Sequence, residues 1–192
     1  MAVKVVKFGG TSLADAAQFR QVASIIKADE SRKFVVASAP GKRFKDDIKV
    51  TDMLYQCYKM IKNNEDITEI FGKISERYIG IINELGLNFD ITGELEYTKN
   101  AMLLHSGRDF AASRGEYLNS LILAKYLGYD FIDAEKVIFF KENGTFDEEL
   151  TDSVLRDELK KHKHAVIPGF YGSMPMPSWR TYLKQHRQPC LS

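Results

Sequence analysis

The stretch that most constrains this chain is residues 3–12, where an apolar, β-branched run ends in Lys7 and a glycine pair, Gly9 and Gly10, follows. The run predicts a short buried strand over residues 3–8. A helical pattern starts after the glycines, so the helix would present free N–H groups and its partial positive charge at the strand end. Lys7 adds a full positive charge at the same place. The stretch therefore predicts a site that binds an anion such as phosphate.

The glycine pair has a second interpretation, in which it forms only a tight turn between a strand and a helix. Thr11 or Ser12 is expected as the helix N-cap in either case. The spacing differs from that of a P-loop, in which the lysine follows the glycines, and from the spaced glycines of a dinucleotide-binding turn. Because Lys7 precedes the glycines, its amine has to reach over the turn, which suits neutralisation of phosphoryl oxygens during transfer.

The order of the predicted elements indicates a parallel α/β sheet. Apolar residues recur at helical spacing between Phe19 and Ile26, and residues 33–38 read as a second buried strand that ends at Pro40 and Gly41. A strand, a crossover helix and a second strand favour parallel pairing. Long helical patterns follow, which suggests a helical insertion beside the sheet. The later predicted helices are residues 53–61, 66–85, 95–104, 113–127 and 147–161, and the later predicted strands are residues 131–132, 137–140 and 165–167.

Composition limits the functions that this chain can have. Its 192 residues, 44% hydrophobic and 28% charged, suit one globular domain or a piece of a larger one. The 27 basic and 26 acidic residues give a net charge of +1, so no nucleic-acid partner is expected. Cys57 and Cys190 are too few for a disulfide scaffold, and neither they nor the histidines have metal-ligand spacing, so no metal site is expected. With no signal peptide and no membrane-spanning run, a cytoplasmic protein without a membrane partner is expected.

Three further polar positions are candidates for ligand contacts. Ser38 lies at the C-terminal end of the second predicted strand, at the sheet edge where α/β proteins bind ligands, although a plain turn fits the sequence equally well. Thr51 precedes a helix and is most simply an N-cap. Glu116 follows Gly115 at the start of a predicted helix, where a carboxylate complements the helix dipole or, with the glycine beside it, holds an ammonium group of a ligand. Residues 42–49 are expected to form a mobile loop or a lid.

Together these segments resemble the aspartokinases of the amino acid kinase family. The resemblance covers residues 3–173. The motifs that carry it are KFGGTS at residues 7–12, Ser38-Ala39 with Thr51-Asp52, SRGEYL at residues 113–118 and VIPGFYG at residues 166–172.

The resemblance implies a three-layer α/β/α domain with a mainly parallel sheet, in a homo-oligomer, that uses ATP with Mg²⁺ to phosphorylate the side-chain carboxylate of L-aspartate. The product would be 4-phospho-L-aspartate, a precursor of lysine, threonine and methionine. In this role Lys7 stabilises the transferring phosphoryl group and Glu116 holds the ammonium group of aspartate. The residues that the resemblance places at the nucleotide phosphates are Lys7, Phe8, Gly9 and Gly10, and those that it places at aspartate are Thr11, Ser38, Thr51 and Glu116.

The sequence departs from the family pattern after Gly172. The family continues with an R-G-G-S-D-type segment and a nucleotide-binding half, and residues 174–192 contain neither. We therefore expect residues 1–173 to be the amino-acid-binding part of a truncated kinase domain, followed by a disordered or frame-shifted tail at residues 174–192. Such a chain is expected to have little kinase activity alone. The alternatives are a non-catalytic module that binds aspartate or a partner subunit, and another kinase of the amino acid kinase family.

Overall fold

The computed structural model of the chain describes residues 3–104 and 107–175. Its centre is a four-stranded sheet in the order β1-β2-β4-β3, in which every pair of neighbouring strands is parallel. The strands are β1 (Lys4–Phe8), β2 (Arg32–Ala37), β3 (Asp130–Phe131) and β4 (Ala165–Pro168). The parallel α/β class predicted from the alternation of strands and helices is confirmed.

Helices cover both faces of the sheet, which gives the three layers that were expected. On the first face, Val35, Ala37 and Val166 pack with apolar residues of the first five helices in the main hydrophobic core. On the second face, Phe34 and Ile167 belong to a smaller core that packs against the sixth helix. Neighbouring residues of β2 thus point to opposite faces, as the pleat of a strand requires. The described helices are α1 (Ala16–Lys27), α2 (Val50–Lys62), α3 (Thr68–Leu85), α4 (Thr92–Leu103), α5 (Arg108–Leu127) and α6 (Glu148–Leu159).

The carboxyl ends of β1, β2 and β4 lie at the same edge of the sheet. Phe8 pairs with Ala37, and Ala37 pairs with Pro168. Backbone hydrogen bonds extend this register: the Ser38 N–H donates to the Phe8 carbonyl at 3.2 Å, and the Gly169 N–H donates to the Ala37 carbonyl at 3.0 Å. The segments that follow these three strands therefore start side by side, at the edge where open α/β sheets bind ligands.

Helix α5 is the buried centre of the molecule. It packs against β2, β3 and β4 and against the four preceding helices, and a helix surrounded in this way has no solvent-facing polar stripe. It ends at Gly128, which adopts the left-handed conformation (φ +70°) that favours glycine at a helix C-terminus. Its buried polar residues are Ser113, Arg114, Glu116, Asn119 and Ser120.

The start of α1 differs from the expectation. A short 3-10 turn over Gly10–Leu13 follows β1, and the N-cap of α1 is Asp15, whose carboxylate accepts a hydrogen bond from the Gln18 N–H at 2.9 Å. Thr11 and Ser12 were predicted as the cap, and that prediction is wrong. The carboxylate of Asp15 satisfies one of the free N–H groups of the helix, so the glycine turn is separated from the helix by the 3-10 turn.

Whereas α1 starts later than expected, three helices begin earlier than predicted: α2, α4 and α5. Helix α2 starts at Val50 after Lys49, which makes no side-chain capping bond, so Thr51 is not the N-cap but a first-turn residue. Helix α5 starts at Arg108, and Glu116 lies in its third turn rather than its first. A dipole effect, which acts within the first turn, therefore cannot account for Glu116.

The predicted strand over residues 137–140 is also wrong. Phe139 forms a single bridge to Ser173, and Phe140 forms one to Phe146, so the segment carries isolated bridges instead of a ladder. The predicted tail, residues 174–192, lies outside the described residues from position 176 onward. Within residues 3–104 and 107–175, no helix combines the length and the apolar character that crossing a bilayer requires.

Candidate active site

A cleft of about 380 Å³ opens at the sheet edge where β1, β2 and β4 end. Its walls come from the 3-10 turn after β1, the loop after β2, the first turn of α2, the middle of α5 and the segment after β4. Five of the predicted site residues lie on these walls. They are Gly10, Thr11, Ser38, Thr51 and Glu116.

The first two walls touch at a pair of glycines. The Gly41 N–H donates a hydrogen bond to the Gly10 carbonyl at 2.8 Å, which joins the turn after β1 to the loop after β2. Gly10 thus contacts the loop after β2 and also lines the cleft.

Ser38 is held in the cleft wall from both sides. Its N–H bonds to the Phe8 carbonyl, and its own carbonyl accepts a hydrogen bond of 2.7 Å from the side-chain amide of Asn119. Asn119 is fully buried on α5. Asn119 is not predictable as a site residue from the sequence, because a lone asparagine within a helix has no local pattern that indicates its partner 81 positions away.

Gly115 brings α5 against the cleft loop. A Cβ at this position would lie 2.8 Å from the Ala39 Cβ and 3.3 Å from a methyl carbon of Leu54. The expectation that Gly115 leaves room for a ligand is therefore wrong, since protein atoms fill that space. The close contact places the following residue, Glu116, at the cleft beside Thr51.

Glu116 is the site residue whose electrostatic state is most unusual. It is 6% exposed, and its Oε2 atom has no hydrogen-bond partner among the described residues. Burial raises the pKa of Glu116 to about 8, against the opposite influence of the Ala39 N–H and the charges of Arg114 and Lys7. The carboxyl group is thus largely protonated near pH 7 without a ligand. A cationic group placed beside it would favour the ionised form.

Lys7, Phe8 and Gly9 lie near the cleft but not on its walls. Lys7 is exposed at the end of β1, with its Nζ 4.0 Å from the centre of the Phe170 ring. Phe8 packs against the main core, and Gly9 is exposed with open space where a Cβ would be. Lys7 is still close enough to Glu116 for its charge to lower the pKa of that carboxyl group.

Phe170, Lys42 and Lys49 line the cleft and were not predicted as site residues. Phe170 has a φ of +61°, which is unusual for a residue with a side chain, and its ring lies under the Lys7 ammonium group. Lys42 and Lys49 bracket the charged loop of the sequence. With Lys7 they make the surroundings of the cleft cationic, which suits anionic ligands.

No group of three or more metal-ligating side chains is found within residues 3–104 and 107–175. The cleft therefore offers hydroxyl groups, ammonium groups and one carboxyl group. This donor set suits an amino acid and phosphate oxygens better than a protein-held metal ion.

Residues 2–179 match the amino acid kinase family. The chain belongs to this family. Aspartokinase 3 of Bacillus subtilis is 37% identical over 141 residues, which are 70% of this chain and 31% of that protein. The chloroplastic aspartokinase 1 of Arabidopsis thaliana is 31% identical over 135 residues, 64% of this chain and 23% of that protein.

Comparison with solved structures shows that the chain also has the fold of aspartate kinases. The crystal structure of Clostridium acetobutylicum aspartate kinase matches with a TM-score of 0.88 and 47% identity, over 91% of this chain and 40% of that chain. The structure of Escherichia coli aspartokinase III with aspartate and ADP matches with a TM-score of 0.76 at 21% identity, over 97% of this chain and 43% of that chain, and it supports the fold alone. This family member thus spans less than half the length of each of these relatives.

Proposed function

We propose that the chain forms the amino-acid side of an aspartate kinase, which transfers the γ-phosphoryl group of ATP to the side-chain carboxylate of L-aspartate. The observation that carries the proposal is Glu116: a buried carboxyl group with an unpartnered oxygen, on the wall of a cleft with hydroxyl and ammonium groups. The identity to bacterial aspartate kinases supports the choice of substrate.

In this proposal the substrate supplies the nucleophile, so no covalent intermediate with the protein is needed. Glu116 holds the ammonium group of aspartate, and the hydroxyl groups of Thr11, Ser38 and Thr51 orient its carboxylates. Lys7, at the end of β1, neutralises charge on the phosphoryl group as it transfers, next to the backbone of residues 8–10. Positioning and charge neutralisation are the terms that phosphoryl transfer requires from a protein.

Mg²⁺ enters this proposal with the nucleotide. The described residues supply no cluster of carboxylates that would hold the ion. The ATP phosphates would therefore be its main ligands, as is common for Mg²⁺ in phosphoryl transfer. The ion would offset the negative charge of the phosphate oxygens.

The proposal extends to the context of the reaction. The product, 4-phospho-L-aspartate, would enter lysine, threonine and methionine synthesis in the cytoplasm, and the kinase would act as a homo-oligomer without nucleic-acid or membrane partners. Residues 1–173 would form the kinase part, with residues 174–192 outside it. The nucleotide-binding half of a complete kinase is proposed to come from outside this part, so the chain alone would have little kinase activity.

A non-catalytic aspartate-binding module is the second candidate. It is favoured by residues 174–192, which lack the R-G-G-S-D-type segment that follows the glycine turn in the family pattern. Another kinase of the amino acid kinase family is the third. All three candidate functions use the same cleft. They differ in the ligand that the cleft binds and in whether the chain catalyses a reaction.

Calorimetry with the full chain tests the proposal. We expect L-aspartate to bind, and succinate, which lacks the ammonium group, to bind much more weakly. Glu116→Gln should remove this preference, while Asp52→Asn, a first-turn change outside the cleft walls, should keep it. Failure of aspartate to bind would contradict the proposed role of the cleft. Release of ADP that depends on both aspartate and ATP, at rates typical of kinases, would contradict the expectation of little activity.

A further inference from the structure

Arg77 is a buried arginine of α3 that contributes no atom to the walls of the cleft. It is 6% exposed, and its guanidinium group donates three hydrogen bonds in three directions. Nε bonds to the Ala14 carbonyl at 3.1 Å, Nη1 to Asp47 Oδ2 at 2.9 Å and Nη2 to the Gly41 carbonyl at 2.6 Å. The planar fork of arginine suits such a task, which a single ammonium group cannot reproduce.

The three acceptors belong to the two segments that form the first walls of the cleft. Ala14 directly follows the 3-10 turn that begins at Gly10. Gly41 lies on the cleft wall and bonds to Gly10, as described above. Arg77 therefore holds both segments from behind, on the side away from the ligand.

Asp47 anchors the rest of the loop to the same arginine. It accepts two side-chain hydrogen bonds from Arg43, at 2.8 and 2.9 Å, and one from the Arg43 N–H at 2.9 Å. The loop over residues 43–47 is thus closed around Asp47, and Arg77 ties it to α3. These hydrogen bonds connect the loop to α3, and the loop leads into Lys49 on the cleft wall.

The neighbour of Arg77 reaches the opposite wall. The fully buried Tyr78 donates its hydroxyl hydrogen bond to the Gly115 carbonyl at 2.9 Å, one residue before Glu116. Two consecutive residues of α3 thus contact both sides of the cleft. This arrangement makes α3 a support for the site although none of its side chains lines the cleft.

We propose that Arg77 is a positioning residue of the cleft. It fixes the loop that carries Ser38, Lys42 and Lys49 against the glycine turn after β1, and so sets the geometry at which an anionic substrate is bound. Without it, the Gly41 and Ala14 carbonyls lose a buried donor and Asp47 loses its buried counter-ion. Buried acceptors without partners are costly, so the loop would move out to reach water.

The consequence for ligand binding rests on the proposed function, whereas the consequence for the loop does not. The test therefore has two measurements on the full chain: amide hydrogen exchange over residues 38–49, and the dissociation constant of L-aspartate by calorimetry. The variants are Arg77→Gln and Arg77→Lys. The matched control is Arg43→Gln, because Arg43 also pairs with Asp47 but is 43% exposed and bonds to neither carbonyl. Ile74→Val, one turn away on α3, controls for general loss of stability.

We expect Arg77→Gln to raise amide hydrogen exchange in residues 38–49. It should also weaken aspartate binding by about tenfold, the change in affinity that corresponds to the loss of one hydrogen bond. Arg77→Lys should restore part of both effects, and Arg43→Gln and Ile74→Val should change each by less than about threefold. Should Arg77→Gln fail to fold, Arg77→Lys supplies the same comparison. Unchanged exchange in this loop, or a rise spread evenly over the chain as in Ile74→Val, would overturn the proposal. Absence of aspartate binding by the unmodified chain contradicts the proposed function, and the exchange result then decides the role of Arg77.

Discussion

Gly10 and Gly41 touch so closely that neither position has room for a side chain. A Cβ on Gly10 would lie 2.8 Å from the Ala39 carbonyl oxygen, and a Cβ on Gly41 would lie 2.6 Å from the Gly10 carbonyl carbon. Both neighbours are backbone atoms, which cannot swing aside as a flexible side chain can. The contact between the two loops therefore depends on glycine at both positions.

The glycine pair after β1 gives a prediction with a built-in control. Gly10→Ala should lower the free energy of unfolding by about 1–3 kcal/mol, because the added methyl group overpacks a backbone contact. Gly9→Ala should change it by less than about 0.5 kcal/mol, since nothing lies within 4 Å of the Cβ position. Urea denaturation of both variants measures the difference. Equal effects of the two substitutions would contradict this description of the turn.

Alanine substitutions at two helical glycines distinguish the effect of packing on stability from the effect of helix propensity. Gly80→Ala in α3 should stabilise the chain by about 0.5–1 kcal/mol, because alanine favours a helix and the Cβ position is open. Gly115→Ala in α5 has the same propensity gain but brings a methyl group to 2.8 Å from the Ala39 Cβ, so we expect net destabilisation. Thermal unfolding gives both signs, and a stabilising Gly115→Ala would show that α5 can move away from the loop at little cost.

The raised pKa of Glu116 predicts a pH dependence of stability. The carboxyl group ionises at pH values near 4.5 in the unfolded chain and near about 8 in the folded one. Between these values the folded chain holds more protons, so the contribution of Glu116 to stability is full below the lower value and is lost as the pH rises to the upper one. Glu116→Gln should therefore gain in melting temperature relative to the unmodified chain between pH 5 and pH 8. A constant difference across this range would argue against a buried, unpaired carboxyl group.

The same group predicts proton release on ligand binding. Near pH 7 the empty site holds a protonated Glu116, and an ammonium group bound beside it favours the ionised form. Aspartate binding should then release up to one proton, and its affinity should rise from pH 6 to about 8 and level off above that. Calorimetry in buffers with different ionisation enthalpies counts the protons. Release that persists in Glu116→Gln would assign the proton to another group.

The sequence predicts the sheet and the meeting place of the loops well, for a physical reason. The β-branched runs of β1, β2 and β4 are short and are followed or ended by glycine or proline, and parallel strands bring their carboxyl ends to one edge. From this, Gly10 and Ser38 are expected at a common site, and both line the cleft. The expectation of a buried strand is wrong for β1, which lies at the edge of the sheet and has no fully buried residue. Thr51 and Glu116 line the cleft with Gly10 and Ser38, although the helix starts around them were misjudged.

What the sequence could not show depends on contacts between distant parts of the chain. Arg77 meets Asp47 across 30 positions and Ala14 across 63. A charged loop with its partner so far away has the same local pattern as a mobile one. The start of α5 was missed for a different, local reason. Arg108 and Asp109 have the polar character of a turn, yet they lie in the first turn of α5, where an acidic residue is favourable.

The two faces of the sheet are packed to different extents, and this difference affects which part of the molecule unfolds first. Helix α6 packs on the second core through Val154, Leu155 and Leu159, which are only partly buried there, and this core has far fewer buried residues than the first. The cleft lies at the edge of the sheet, and α6 contributes no residue to its walls. Partial unfolding should therefore begin at α6, since elements with few buried apolar contacts open at the lowest free energy. A form with α6 detached would keep the walls of the cleft and could still bind ligand. Ligand binding is therefore not expected to protect α6 from proteolysis.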